Sequence, residues 1–233
     1  MTARVLDIGA VDVRHAPDFV WDFARQRAVE IDAHWRGLVA ARPQMFDGRV
    51  LLMRDARVSG DRLEAKAFVT HFRNFQAWKD FGFADPDIVN IFAMAALRSQ
   101  DGFWMMGRMG AHTSNAGQVY FPAGTPDLDD LRDGSVDLAG SVWRELAEET
   151  GLTKADCTAR AGWRLVFGKG QIACMKILDC PAPASDVIPG VRNFLTRDAD
   201  PELQDFVAVR DEAELGDAPA PDFIRSFLRA AVA

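Results

Sequence analysis

From Ile88 the chain is strongly apolar through Leu97, turns at Ser99-Gln100-Asp101-Gly102, and resumes as Phe103-Trp104-Met105-Met106. A turn inside so apolar a run favours two sheet strands over one buried helix. The methionines read as core filling rather than a cofactor surface. The pattern returns downstream, where Trp163 to Phe167 and Ile172 to Leu178 form a further pair turned by Gly168-Lys169-Gly170. Phe206 to Val209 reads as a short strand. Asp222 to Val232 reads as a closing helix with Phe223, Ile224, Phe227 and Leu228 on one side. Pro181 to Pro189 and Ala213 to Pro221 are breaker-rich connectors.

Before this region, apolar residues at Val20, Phe23, Ala24, Ala28, Ile31, Trp35 and Leu38 predict one amphipathic helix over 17–41. Val50 to Met53 and Leu63 to His71, joined at Ser59-Gly60-Asp61, predict a hairpin. Phe75, Trp78 and Phe81 lie at helical spacing, stopped by Gly82 and the Asp85-Pro86 break. Residues 1–86 therefore read as an N-terminal extension of helix plus β-hairpin, ahead of a main domain over 87–233.

The chemistry is concentrated in Arg144-Glu145-Leu146-Ala147-Glu148-Glu149-Thr150-Gly151-Leu152. On a helix, Glu148 and Glu149 lie at roughly −60° and +40° from Glu145, so the three acids share an arc of about 100°. Ala139, Trp143, Leu146 and Ala147 gather on a different face, which predicts a core-packed helix over about 138–150 that presents its acids outward as a cluster. Asp137 or Ser135 is the N-cap, Gly151 supplies the left-handed stop, and Arg144 stands at ion-pair spacing from Glu148. Like charges this close repel unless a hard cation is shared among them. Oxygen-only ligands point to Mg²⁺ or Mn²⁺, and hence to water attack on a phosphoryl bond. Glutamates at this spacing taken alone are more often a solvated face, so the surroundings decide.

Those surroundings carry a resemblance. Arg144 to Leu152 matches every fixed position in the second half of the Nudix box, G-x5-E-x7-R-E-U-x-E-E-x-G-U with U aliphatic, and Val119-Tyr120-Phe121-Pro122-Ala123-Gly124 resembles the strand and turn before it, with Gly124 as the first glycine. The resemblance implies an α/β protein of Nudix fold, an α/β/α sandwich around a mixed β-sheet, here with an N-terminal α+β extension. It implies a Mg²⁺-dependent (or Mn²⁺-dependent) pyrophosphohydrolase in which Glu145, Glu148 and Glu149 hold metal and Arg144 orients the helix carboxylates. One of the glutamates is also a candidate general base, whose identity stays open. Gly124 stands 20 residues before Arg144 where the consensus has 14, so the loop carries a six-residue insertion. Counting back from Arg144 puts the first glutamate at Val136 and counting forward from Gly124 puts it at Asp130, with Asp129 and Asp137 as neighbours, so that role is unassigned. The insertion, Pro126 to Gly134, reads as a solvated surface loop.

Outside the box, Arg108 to Gln118 is a polar loop able to offer backbone N–H groups to phosphate. Arg108 is the candidate for a phosphate contact that neutralises a leaving diphosphate. His112 and Lys169 are left outside the site. Phe46-Asp47-Gly48 and Thr70-His71-Phe72-Arg73-Asn74-Phe75 loosely resemble the N-terminal region of the Nudix branch that hydrolyses UDP-sugars. The expected partner is thus a small nucleoside diphosphate derivative, with a non-catalytic nucleotide-binding or sensor module as the alternative. Phe72, Phe75, Trp78, Phe81 and Phe83 are the candidate surface for a homodimer, although core packing accounts for them equally well.

The 233 residues, 48% apolar, suffice for a substantial core. A net charge of −7 with pI near 5.1 argues against a nucleic-acid duplex as substrate. No apolar run approaches a membrane span and no signal-peptide pattern opens the chain, so a cytoplasmic protein with no membrane partner is expected. Cys157, Cys174 and Cys180 lack CxxC spacing and are expected to be reduced thiols, and the scattered histidines offer no zinc pair.

Overall fold

A computed structural model describes residues 4–113, 115–199 and 201–231. The chain opens with β1 (Val5–Ile8) and β2 (Ala10–His15), followed by α1 (Asp22–Gln26) and α2 (Ala28–Ala41). The expected long helix is therefore two, and it starts later. Arg27, at φ −107° and ψ 20°, breaks it, while Trp21, Phe23 and Ile31 are buried and Val20 is exposed. The expected hairpin follows as β3 (Arg49–Ser59) and β4 (Arg62–His71), and then α3 (Phe72–Asp80). Gly60 at φ 58° makes the hairpin turn, in the left-handed region that costs glycine little.

Next come β5 (Ile88–Arg98), β6 (Trp104–Met109), β7 (Val119–Tyr120), β8 (Leu131–Arg132), β9 (Ser135–Val136) and α4 (Leu138–Thr150). The chain then continues through β10 (Thr158–Ala159), β11 (Trp163–Gly168), β12 (Gln171–Asp179), α5 (Ala184–Leu195), β13 (Leu203–Val209), α6 (Glu212–Leu215) and α7 (Asp222–Ala231). Val232, the end of the expected closing helix, lies outside the described residues.

All the strands join one mixed sheet in the order β1-β11-β12-β5-β3-β4-β2-β9-β8, with β10 beside β12 and a branch from β5 through β6 to β7 and β13. The centre is the parallel pair β12 and β5, in register from Gln171 opposite Asn90 to Asp179 opposite Arg98. α4 packs on β5 and α5 on β13, while α7 covers β11 and places Phe227 against Trp104 and Phe121. Helices thus cover the sheet as the α/β expectation requires. No helix among the described residues is long and apolar enough to cross a membrane.

The β3–β4 hairpin explains how the extension joins the rest. Its side chains alternate between two cores. Leu51, Met53, Leu63, Ala65 and Ala67 enter the main core, whereas Val50, Leu52 and Phe68 enter a smaller one with Trp21, Phe23, Ile31, Phe75, Trp78 and Ile88. Asp85 ties that smaller core together, accepting a hydrogen bond from the Trp21 indole on its carboxylate at 2.8 Å and from the Trp78 indole on its carbonyl at 3.0 Å. Phe72, Phe81 and Phe83 pack around it, so the aromatic set considered for a dimer surface is engaged in core packing.

Three further expectations change. β1 pairs antiparallel with β11, so residues before Ile8 belong to the far side of the sheet rather than to the extension alone. The proline-rich stretch after β12 is helix α5, because Ala184, Val191 and Leu195 bury an apolar stripe that outweighs Pro189 inside the helix, and Ala213 to Pro221 begins with the single turn α6. Finally, Cys157 and Cys180 form a disulfide, with Cα atoms 4.4 Å apart, and Cys174 alone is a free, buried thiol among the described residues.

Candidate active site

Helix α4 begins and ends as its sequence dictates. The Asp137 carboxylate caps it by accepting from the Gly140 N–H at 2.8 Å, and Gly151 closes it at φ 74°. Its buried side differs from the expected one. Leu138, Val142 and Leu146 form the core stripe with Ser141, Glu149 and Thr150, while Ala139 is exposed and Trp143 half-buried. The three acids therefore do not form one solvent-facing cluster. The Glu148 side chain is 61% exposed and that of Glu145 12%, while Glu149 as a residue retains only 6%.

A loop after β7 closes over the two buried acids. It is pinned on both flanks, since Ala95 of β5 donates to the Pro122 carbonyl at 3.0 Å and Leu51 of β3 donates to that of Pro126 at 2.7 Å. Within it, the Ala123 N–H donates to Glu149 Oε1 at 3.2 Å. Glu145 lies directly on Gly124: a β-carbon there would sit 2.5 Å from Glu145 Cδ and 2.9 Å from Oε2. Gly124 is thus glycine because a carboxylate occupies the space of its side chain.

Arg144 engages Asp130, one of the residues weighed for the unassigned first acid. Its Nη2 donates to both carboxylate oxygens of Asp130 at 3.0 and 3.2 Å, and its Nη1 lies 2.7 Å from Glu145 Oε1 and 3.5 Å from Glu148 Oε2. Asp130 is 3% exposed and is further held by the Asp127 N–H at 3.1 Å, which closes a single helical turn over Leu128–Asp130. Of the two counts made from the sequence, the forward one from Gly124 reaches the residue that engages the arginine. The extra residues are then Leu131 to Val136, which form the small β8–β9 hairpin turned at Asp133 and Gly134, both at positive φ. β9 pairs with β2, and His15 donates to the Gly134 carbonyl at 2.9 Å. The insertion is thus docked on the extension rather than being a free solvated loop, and the chain returns by the Asp137 N–H bonding the Asp130 carbonyl at 2.8 Å.

The electrostatics follow from this packing. Burial, opposed by Arg144 and reinforced by Glu148 and Glu202, pushes the Glu145 carboxyl up from 4.5 to about 7. Burial, with Glu145 and Glu202 adding repulsion, holds Glu149 well above the ordinary carboxylate range. Burial opposes the Arg144 charge, but Asp130, Glu145 and Glu148 more than restore it and leave the guanidinium firmly protonated. Burial also pushes the Tyr120 phenol up, against the hydrogen bond it accepts from Asn115 at 3.1 Å.

Glu202 is the residue that sequence reasoning missed. It precedes β13, its carbonyl accepts from Gly110 N–H at 2.7 Å, and its charge acts on Glu145, Glu149 and Tyr120 together. No local motif announces it. The pairing of Leu203 with Met109, together with the Gly110 bond, carries it to the site from more than fifty residues beyond the end of α4. Arg108 stands opposite Val119 in the β6–β7 pair, and by strand alternation it shares the face of Trp104, which α7 covers; Tyr120, opposite Gly107, points to the other face. In the loop between them, Thr113 Oγ1 donates to the Gly110 carbonyl at 2.9 Å, and Gln44 of the extension donates to that of His112 at 3.1 Å. Ser114 lies outside the described residues.

The residues suit a hard divalent cation. Glu149 Oε2 is buried without a hydrogen-bond partner, and the neighbouring donors are carboxylates held in protonation-prone surroundings. Among the described residues no three His, Cys, Asp or Glu side chains already converge on one point as a formed cage. An ion coordinated here would complete its shell with water and ligand oxygens, as Mg²⁺ commonly does.

No family model matches the chain, and no curated protein matches its sequence. Solved structures that resemble it include the following. A Nudix hydrolase from M. smegmatis, RenU, shares 14% identity with a TM-score of 0.41, over 61% of this chain and 81% of that one. A MutT protein from Methanosarcina mazei Go1 shares 22% at TM-score 0.39, over 61% and 91%. The Bacillus subtilis pyrophosphohydrolase BsRppH shares 15% at TM-score 0.36, over 65% and 82%.

Proposed function

We propose that the chain is a Mg²⁺-dependent Nudix hydrolase that cleaves the diphosphate bond of a nucleoside diphosphate linked to another moiety. The observation that carries this reading is Glu149 Oε2, a buried carboxylate oxygen with no partner, beside Glu145 on the Gly124 loop. A fold stabilised only by its own contacts gains nothing from such an arrangement, because a buried carboxyl oxygen without a partner is costly whether the group ionises or is forced to hold its proton. A shared cation removes the penalty.

Glu145, Glu148 and Glu149 are the residues that would hold the ion, with Glu202 as a fourth carboxylate near the first and third. The ion would neutralise the diphosphate and acidify the attacking water. Arg144 orients Glu145 and Glu148 while Asp130 fixes the guanidinium from behind. The Gly124 loop excludes side-chain bulk from above Glu145 and donates one N–H to Glu149, leaving Oε2 free to hold metal or take a proton. Arg108, which strand alternation places on the α7 face of the sheet and away from Tyr120 and the acids, takes no part in this proposal.

The finer proposal is a UDP-sugar substrate; its support is the loose likeness of Phe46-Asp47-Gly48 and Thr70 to Phe75 to the UDP-sugar branch, in an extension that flanks the loop, where Val50 bridges Asp127 and Gln44 reaches His112. Cleavage would release a nucleoside monophosphate and a sugar phosphate. The test is a Mg²⁺-dependent screen of UDP-sugars, ADP-ribose and dinucleoside polyphosphates with products read by mass. UMP from UDP-glucose supports the sugar reading, and activity confined to other substrates discards it. Nucleotide binding with no turnover on any of them would instead make the chain a sensor module.

A further inference from the structure

The Cys157–Cys180 bond lies outside the chemistry above, yet its position is unusual in two respects. First, it crosses a strand pair. Thr158 faces Asp179 and Ala159 faces Leu178 in the β10–β12 ladder, so Cys157 faces Cys180 one step further on. Arg160 N–H bonds the Ile177 carbonyl, and counting back along the ladder makes 157 and 180 a pair without backbone hydrogen bonds between them, the kind whose Cα atoms approach most closely. Each cysteine is held by other neighbours: Cys180 N–H donates to the Arg98 carbonyl at 2.8 Å and Cys157 N–H to that of Thr153 at 3.2 Å. The backbone therefore keeps the two sulfurs adjacent whether or not they are bonded.

Second, the bond has an approach from one side. A cavity of about 440 Å³ lies between the end of α4 and helix α5, and Cys180, unlike Cys157, lines it together with Gly151, Leu152, Gly190, Phe194 and Arg197. Thiol–disulfide exchange needs a thiolate to reach one sulfur opposite the sulfur that leaves. The cavity reaches Cys180 and not Cys157, although both residues are otherwise buried at 3% and 4% exposure, so attack from it falls on Cys180 and leaves Cys157 as the leaving group; its volume lies in the range of small-ligand pockets.

We infer that Cys157–Cys180 is an exchangeable redox site at which a small monothiol, entering the cavity between α4 and α5, attacks Cys180. In the first step the incoming thiolate bonds to Cys180 Sγ, the Cys157–Cys180 bond breaks, and its electron pair leaves on Cys157 Sγ, which takes a proton from solvent. In the second, another thiolate attacks the outer sulfur of the mixed disulfide and frees Cys180 as a thiolate. Two thiols are oxidised to one disulfide while the protein bond is reduced by two electrons. Cys174 provides an internal contrast, since it is fully buried in β12 and its burial pushes the thiol up, away from the reactive thiolate form.

The test uses the full chain under native conditions with excess reduced glutathione, acid quenching, alkylation and peptide mass spectrometry. Cys157 and Cys180 should gain label while Cys174 stays unlabelled. Cys157→Ser treated with oxidised glutathione should trap one adduct on Cys180. Gly190→Leu, placed where an added β-carbon meets open space, should slow exchange several-fold relative to Gly190→Ala. Labelling of all three cysteines at one common rate would mean that exchange proceeds only through unfolding and overturns the proposal. Equal rates in the two Gly190 variants would overturn the route through the cavity.

Discussion

Replacing Gly124 by alanine separates the cost of a lost site from the cost of a lost fold. Gly124 has no positive φ, so alanine adopts its backbone without strain, and the restricted unfolded chain even favours the variant by about 0.4–1 kcal/mol. The new β-carbon, however, lies 2.5 Å from Glu145 Cδ and 2.9 Å from Oε2. Ordinary contact begins near about 3.5 Å, so the carboxylate must retreat by about 1 Å. The obstacle is the end of a flexible side chain, so a χ rotation of Glu145 absorbs it at little cost to the fold. Catalysis does not absorb it. A displacement of that size at a reacting centre costs about 10²-fold, or about 2.7 kcal/mol in the barrier.

Gly151→Ala is the matched comparison. There φ is 74° and the β-carbon would meet the Phe194 ring at 2.6 Å, so about 2 kcal/mol of stability is lost with the box acids untouched. Steady-state hydrolysis with Mg²⁺ and thermal melting of both variants measure the contrast. Gly124→Ala should keep its melting temperature within a few degrees and lose turnover, whereas Gly151→Ala should melt lower and retain turnover below its transition. Activity of Gly124→Ala within about threefold of the parent, a difference of only about 0.7 kcal/mol, would refute the argument that Glu145 must occupy that space.

Three further outcomes are expected. Asp130→Ala strips one partner from Arg144, which keeps Glu145 and Glu148, and should cost about 1–3 kcal/mol in urea unfolding together with most of the activity, while a loss below about 0.5 kcal/mol would show the pair to be dispensable. Glu149→Gln removes a buried carboxyl whose ionised form burial and neighbouring acids disfavour, so turnover should collapse while at neutral pH the metal-free protein melts higher than the parent; a lower melt would contradict that cost. Because the Glu145 carboxyl is raised from 4.5 to about 7, its contribution to metal-free stability is complete below pH 4.5 and is lost as pH rises through about 7. Urea midpoints should therefore fall between pH 5 and 8 without Mg²⁺ and fall less with it, and parallel curves would refute metal binding at these acids.

The periodic elements were readable locally. α4 runs Leu138–Thr150 with Asp137 and Gly151 at its ends, and β5, β6, β11, β12 and α7 lie where apolar spacing predicts them. What misled was composition without context. Prolines concealed α5, whose stripe is stabilised by the core it packs on. β1 and β2 are too short to declare themselves, because their hydrogen bonds run to β11, β4 and β9 rather than to neighbours in the chain.

The site divides along the same line. The sequence alone determined that three glutamates share a capped helix with an arginine one turn before Glu148, since helical geometry depends only on residues a few positions apart. Tertiary structure decided the rest: that Glu149 is buried rather than solvated, that Asp130 holds Arg144 from across a six-residue hairpin, that Glu202 joins the acids, and that Cys157 bonds Cys180. Burial, ion pairing and crosslinking are properties of surfaces brought together from distant parts of the chain. Which face of α4 turns inward is set by the sheet and loop it meets, and no helical period contains that information.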